Sequence, residues 1–159
     1  TLGGIDILVN NAGVGDFGSI EEMPSETWEQ VIKTNLFGVY YTAKAVYPFL
    51  KEKGQGDIVN VASTAGLKGG PNMSAYAASK AAVVSLSQSM MAEWRKQNIR
   101  VITLTPSTIA SEMSINGGLT DGNPDKVLQP EDFAEWVRDI LKMNRRAMIA
   151  NASIFSTNP

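Results

Sequence analysis

An α/β fold built on a parallel sheet is what this sequence predicts, and three observations carry that expectation. Short apolar runs rich in β-branched residues recur at residues 5–9, 57–62 and 100–105. Longer stretches with helical spacing of apolar residues separate them. Glycine, asparagine, serine or proline closes each run at its carboxyl end. Continuous apolar runs suit buried parallel strands, and their alternation with helices suits crossover connections.

The elements follow in order. Residues 5–9 form the first expected strand, broken by Asn10-Asn11-Ala12-Gly13. Pro24-Ser25-Glu26 starts a helix, with Ser25 as N-cap and Glu26 in the first turn. Its apolar stripe of Trp28, Val31, Ile32, Leu36, Val39 and Ala43 runs on toward Lys53, where Gly54-Gln55-Gly56 stops it. A second strand over 57–62 leads into a Gly/Pro loop at 66–73. A long helix rich in Ala, Ser and Met is expected from Ser74 to Lys96, ended by Gln97-Asn98. The third strand, 100–105, is closed by Pro106. Residues 111–128 read as a polar loop, Pro130 opens a further helix to Met143, and 147–155 read as a last strand. No internal repeat, linker or low-complexity tract divides the chain, so residues 1–159 read as one domain.

Composition narrows the function. Apolar residues make up 43% and charged residues 19% of the 159, with a net charge of −2 and no run of like charges. That balance fits a globular protein and gives no nucleic-acid footprint. Cysteine is absent, which removes disulfides and thiol catalysis. Histidine is also absent, removing the commonest general base and metal ligand, and no metal site is expected. Acid–base chemistry falls to Tyr, Lys, Asp, Glu or a hydroxyl. No apolar stretch has the length of a membrane span, and Thr1-Leu2-Gly3-Gly4-Ile5-Asp6 lacks a signal-peptide core. No membrane partner and a cytoplasmic address are expected.

Three tyrosines have a lysine four residues later: Tyr40 with Lys44, Tyr47 with Lys51, and Tyr76 with Lys80. That spacing puts both side chains on one helix face, and by itself it says little. Setting separates the pairs. Upstream of Tyr76-Ala77-Ala78-Ser79-Lys80 lie Ser63 at a strand end, Lys33-Thr34-Asn35, and Asn10-Asn11-Ala12-Gly13 after another strand. Downstream lies Pro106-Ser107-Thr108-Ile109-Ala110-Ser111-Glu112-Met113. The other two pairs read as structural.

With these five segments in this order the chain resembles the short-chain dehydrogenase/reductase family. The resemblance implies a Rossmann-like doubly wound parallel sheet, of which the chain would hold the C-terminal portion. It implies an oxidoreductase that moves hydride between NADP or NAD, with NADP preferred, and a ketone or secondary alcohol. Asn35, Ser63, Tyr76 and Lys80 would be catalytic. Asn10, Ala12, Gly13, Tyr76, Lys80, Pro106, Ser107, Ile109 and Ser111 would bind the cofactor, and Ser63, Thr64, Tyr76 and Met113 the substrate. Segments 119–126 and 156–159 resemble bacterial 3-oxoacyl-(acyl-carrier-protein) reductases, which implies an acyl-carrier substrate, a place in fatty acid biosynthesis and a homodimer or homotetramer. The alternative is a non-catalytic dinucleotide-binding or assembly subunit on the same fold.

The residues themselves support a proton-transfer site. A phenol can act as the acid if a neighbouring ammonium lowers its pKa, and Lys80 stands one helical turn from Tyr76. Ser63 would hold the substrate oxygen. Asn35 would anchor a water on a proton path from Lys80 to solvent. Val14, Phe17, Thr64, Leu67, Met73, Met113, Ile115 and Leu119 are the candidates for substrate specificity, because they follow strands.

The sequence departs from the family in three places. Pro106-Ser107 replaces the usual Pro-Gly, and Ser111 stands where Thr is usual. The Thr-Gly-x-x-x-Gly-x-Gly loop that holds the pyrophosphate does not occur in these residues. Three missing strands at the size of βαβ units correspond to on the order of 80 residues. One edge of the strand at 5–10 is therefore expected to be bare, with an apolar patch beside it.

Overall fold

The computed structural model describes residues 3–157. Residues 1–2 and the last two of the 156–159 segment lie outside the described residues. The elements run β1 (Ile7–Asn10), α1 (Ser25–Ile32), a π-helical turn (Lys33–Phe37), α2 (Gly38–Lys53), β2 (Gly56–Val61), α3 (Ser74–Trp94), β3 (Ile99–Pro106), α4 (Glu112–Asn116), α5 (Pro130–Lys142) and β4 (Asn151–Ile154). The four strands form one parallel sheet in the order β1-β2-β3-β4.

Alternation along the two central strands explains the layers. Ile58, Ala62, Ile99 and Val101 point to one face, where they pack with Val39, Ala43 and Leu50 of α2 and Val83 and Met90 of α3. Val59, Val61, Ile102 and Leu104 point to the other, against Phe133 and Ile140 of α5. Both faces are covered, so β2 and β3 are buried along their whole lengths. Fully burying one such side chain is worth about 2 kcal/mol, which makes this double core the main support of the sheet.

At the amino end of the sheet a buried ion cluster replaces apolar packing. Arg100 grips Asp57 through Nε at 2.7 Å and Nη2 at 2.9 Å, and Arg145 adds a contact to the same carboxylate at 3.1 Å. Arg145 also donates to the carbonyls of Gly56 and Asn98. The Asp57 carboxylate holds the Arg100 guanidinium above its ordinary pKa. Breaking one member would leave an uncompensated buried charge.

Four local expectations are corrected. The helix from 25 to 53 is interrupted by the π turn, which the apolar stripe did not reveal. Its N-cap is Pro24, whose carbonyl accepts from Trp28 N–H at 3.0 Å, and Ser25 is already helical. The stretch 111–128 contains α4, capped by Ser111, whose Oγ accepts from Ser114 N–H at 3.3 Å. Five residues are too few for a periodic signal. The last strand is shorter than 147–155 because Arg145 draws residues 144–147 into a turn against the ion cluster, with Ala147 N–H bonded to the Asn144 carbonyl.

Among the described residues β1 pairs only with β2, and Ile7 and Val9 are 46% and 44% exposed. No described helix is long and apolar enough to cross a membrane.

Candidate active site

The carboxyl ends of β1, β2 and β3 open into a cavity of about 840 Å³. Asn11 and Gly13 follow β1, Ser63 follows β2, and Pro106 to Ile109 end and follow β3; all line the cavity. Crevices at strand carboxyl ends are where open α/β sheets bind ligands. Tyr76 and Lys80 enter from the first turns of α3.

The loop from Ser63 to Met73 and the start of α3 are fixed together. Ser63 Oγ accepts from Ala65 N–H at 3.2 Å, and Gly66, Leu67 and Lys68 donate back to the carbonyls of Ser63 and Thr64. Gly66 lies flat on α3: a Cβ there would sit 2.6 Å from the backbone carbon of Lys80. Only glycine permits this approach. It holds Ser63 and the Tyr76–Lys80 turn at one separation.

Lys80 is 4% exposed, and its ammonium donates to the Val61 carbonyl at 2.9 Å. Burial lowers its pKa from 10.5 to about 8. An ammonium carries three donors, and Val61 is its one acceptor among the described residues. Two N–H bonds therefore remain for a ligand. Lys80 Nζ lies 5.7 Å from the centre of the Tyr76 ring.

The expected lowering of the Tyr76 pKa is corrected. Burial raises the phenol above 10 and outweighs the neighbouring Ser63 hydroxyl, which pulls the other way. Lys80 lies over the ring and gives one N–H to the Val61 carbonyl, and burial outweighs the pull on the phenol proton. The phenol is thus protonated at neutral pH.

Asn35 is 1% exposed and belongs to the π turn, which rotates it inward. Such turns recur at functional sites. Its Oδ1 accepts from Val14 N–H at 2.8 Å, and its Nδ2 donates to the Val14 carbonyl at 2.9 Å and Ser79 Oγ at 3.0 Å. Ser79 Oγ in turn donates to the Tyr76 carbonyl at 2.7 Å. The side chain is therefore a clamp between the Gly13–Val14 backbone and α3. Its side-chain amide is engaged by these three bonds, and its place on a water path stays a proposal.

Asn10 is held by other side chains. Its Nδ2 donates to Asn60 Oδ1 at 2.8 Å and its Oδ1 accepts from Thr42 at 2.7 Å, while Asn60 donates to Ser87. This network ties β1 to β2, α2 and α3. Neither Asn10 nor Ala12 lines the cavity. Gly13, Ser63, Thr64, Tyr76, Lys80, Pro106, Ser107, Ile109, Ser111 and Met113 all do. The sequence reading missed Asn11, Lys68, Phe133 and Phe155, which also line it. Asn11 was within reach, since side chains alternate and its neighbour Asn10 points inward. Phe133 and Phe155 come from elements that carry no motif.

The residues present fit the nicotinamide half of a dinucleotide. A Cβ on Gly13 would sit 3.3 Å from both Lys80 Nζ and Asn35 Oδ1, so glycine keeps bare backbone beside an ammonium with free donors. Tyr40–Lys44 and Tyr47–Lys51 share the helical geometry, with lysine 5.5 and 5.9 Å from the ring centres. Neither lines the cavity. Tyr47 instead stacks on Trp94 at 4.5 Å.

Comparison with known proteins agrees with this fold. Residues 1–121 match the family model described as short chain dehydrogenase. A protein of Xanthobacter autotrophicus named inactive 2-(S)-hydroxypropyl-CoM dehydrogenase 2 is 39% identical over 97% of this chain. A 2-dehydro-3-deoxy-L-rhamnonate dehydrogenase (NAD(+)) of a Sphingomonas species is 42% identical over 96% of it. The chain spans 66% and 57% of those two proteins. An alcohol dehydrogenase from Thermococcus sibiricus, solved with 5-hydroxy-NADP, superposes with a TM-score of 0.88 at 29% identity, covering 99% of this chain and 66% of that one.

Proposed function

The chain belongs to the short-chain dehydrogenase family, and from that premise we propose that the protein is an NAD(P)-dependent oxidoreductase acting on a ketone or secondary alcohol. One observation carries the reading: Ser63, Tyr76 and Lys80 line one cavity at the sheet's carboxyl edge, locked in place by Gly66 and Asn35. The dinucleotide would supply the hydride. Gly13, Lys80, Pro106, Ser107, Ile109 and Ser111 would hold it, with the two free donors of Lys80 meeting ribose hydroxyls.

The chain's own residues then move the proton. Ser63 holds the substrate oxygen beside the phenol. Tyr76, kept protonated by burial, donates its proton to that oxygen during reduction. A positioned acid of this kind contributes roughly 10²–10⁴ in rate. Lys80 keeps a positive charge nearby below about pH 8. In the reverse direction the same phenol must act as base, so alcohol oxidation speeds up as pH rises.

NADP or NAD remain the cofactors of this proposal, with NADP preferred, and the protein would act in the cytoplasm as a homodimer or homotetramer. The 3-oxoacyl-(acyl-carrier-protein) reductase reading, with its role in fatty acid biosynthesis, is among the ketone substrates covered; the apolar lining of Phe17, Leu67, Met73, Met113 and Leu119 supports it. A second reading, a non-catalytic dinucleotide-binding subunit, draws on the relative whose name includes "inactive". Oxidation of NADPH or NADH by the complete protein against a panel of ketones separates the two. No turnover with any ketone, together with intact cofactor binding, retires the oxidoreductase reading in favour of the second.

A further inference from the structure

The cavity carries an electrostatic asymmetry that its catalytic residues do not use. Among the described residues its lining includes two charged side chains, Lys80 and Lys68, and no carboxylate. Lys80 is buried and bonded to Val61. Lys68 is exposed at the rim, with no ion-pair partner among the described residues. Its backbone is fixed: Lys68 N–H donates to the Thr64 carbonyl at 3.1 Å, one turn beyond Ser63, on the loop that Gly66 pins to α3. The far end of that loop is fixed too, by Gly18 N–H bonded to the Asn72 carbonyl at 2.9 Å. The lysine is therefore presented from an anchored turn.

In an adjoining recess, which shares Gly13, Phe17 and Met113 with the cavity, the sign reverses. The recess between residues 13–17 and α4 carries Asp16 and Glu112 and no cation. An anionic group on a ligand seated in the cavity is repelled from that side and drawn to Lys68. The space between Ser63 and the rim is apolar, walled by Phe17, Leu67, Met73 and Leu119.

We propose that Lys68 is a specificity-determining residue, and that the substrate is an oxo acid or the matching hydroxy acid: a carbonyl at Ser63 and Tyr76, an apolar arm, and a carboxylate at Lys68. The proposal rests on the ketone reductase reading above. It favours a free oxo acid, which carries its own carboxylate, over a carrier-bound acyl chain, in which a neutral thioester takes the place of that carboxylate.

The test uses the complete protein and a series of oxo acids of increasing chain length, each paired with its methyl ester. The acids are turned over with higher kcat/KM than their esters, by about fivefold for a partly exposed pair. Added salt narrows that ratio. Lys68→Met lowers kcat/KM for acids more than for esters, and Lys68→Arg restores the preference. Titration calorimetry of the hydroxy acids shows the same loss of affinity in Lys68→Met, and this readout holds if turnover fails. Equal kcat/KM for acid and ester in the unaltered protein overturns the proposal. So does a Lys68→Met variant that weakens NADPH or NADH binding and leaves the acid-to-ester ratio intact. Failure of the reductase reading looks different: no ketone of either kind is turned over, and the hydroxy acids still bind through Lys68.

Discussion

Tyr76 and Lys80 occupy low-dielectric surroundings that press on them in opposite senses. Burial keeps the phenol neutral and makes the ammonium easier to lose. Tyr76→Phe removes the proton and little shape, so ketone reduction should fall by about 10³-fold while cofactor affinity changes little. Tyr40→Phe, on an exposed helix face, is the matched control and should leave turnover near that of the unaltered protein; the reverse pattern would mean the wrong pair has been chosen. Lys80 also makes a stability statement. Its folded pKa of about 8 lies below the ordinary 10.5. Below pH 8 the ammonium is charged in both states, and the whole desolvation cost weighs on the folded one. Between about 8 and 10.5 the unfolded chain binds more protons, so this group's contribution to stability rises with pH. Urea unfolding across that window should show the rise, and Lys80→Met should remove it. The candidate positions Asn35, Ser63, Tyr76 and Lys80 were named from residue types and spacing, and three of them, Ser63, Tyr76 and Lys80, meet in one cavity. The direction of the Tyr76 shift was not legible there, because it depends on burial, which outweighs the bond to Ser63.

At the scale of elements, two close contacts set the geometry of the site. Gly66 brings the Ser63 loop onto α3, and the π turn brings Asn35 between Val14 and Ser79. Gly66→Ala should cost about 2 kcal/mol by overpacking, since the new methyl meets backbone that cannot swing aside. Thermal unfolding measures that loss, and an unchanged Tm would mean that the loop does not rest on α3. Asn35→Ala leaves the Val14 N–H and carbonyl without partners, for a cost of about 3 kcal/mol. Asn35→Asp keeps the acceptor for Val14 N–H and should recover part of it. Strands and long helices could be read from apolar runs, because burial on both faces of a parallel sheet leaves a plain pattern. The π turn could not, since it shifts the helical phase by one residue inside a stretch that remains helical on both sides. Asn35, a poor helix former in mid-helix, was its one trace in the sequence.

For the molecule as a whole, the parallel α/β class and a cavity at the loops after the strands were legible in advance, while the strand order was not, since chain order does not by itself fix neighbours in a doubly wound sheet. What surrounds the fold was less legible, because exposure depends on every element at once. Phe37, Tyr40, Tyr41 and Phe49 stand 43%, 42%, 62% and 52% exposed on the π turn and α2. Phe37 and Tyr41 meet edge to face at 6.4 Å, and Tyr40 lies 5.4 Å from Tyr41, so these three rings form one continuous patch. A cluster of aromatic rings on one helix is the composition of an interface centre. A helix face of this kind can meet a copy of itself across a two-fold axis, where each ring finds its counterpart. A homodimer or homotetramer closed through α2 is therefore the expected state at micromolar concentration. Tyr41→Lys places a like charge opposite itself across that axis and should shift the protein toward monomer, at little cost to folding because Tyr41 is largely exposed. Sedimentation equilibrium of the complete protein and of this variant measures both states. A monomer in the unaltered protein, or a variant that assembles as tightly, would put the interface elsewhere.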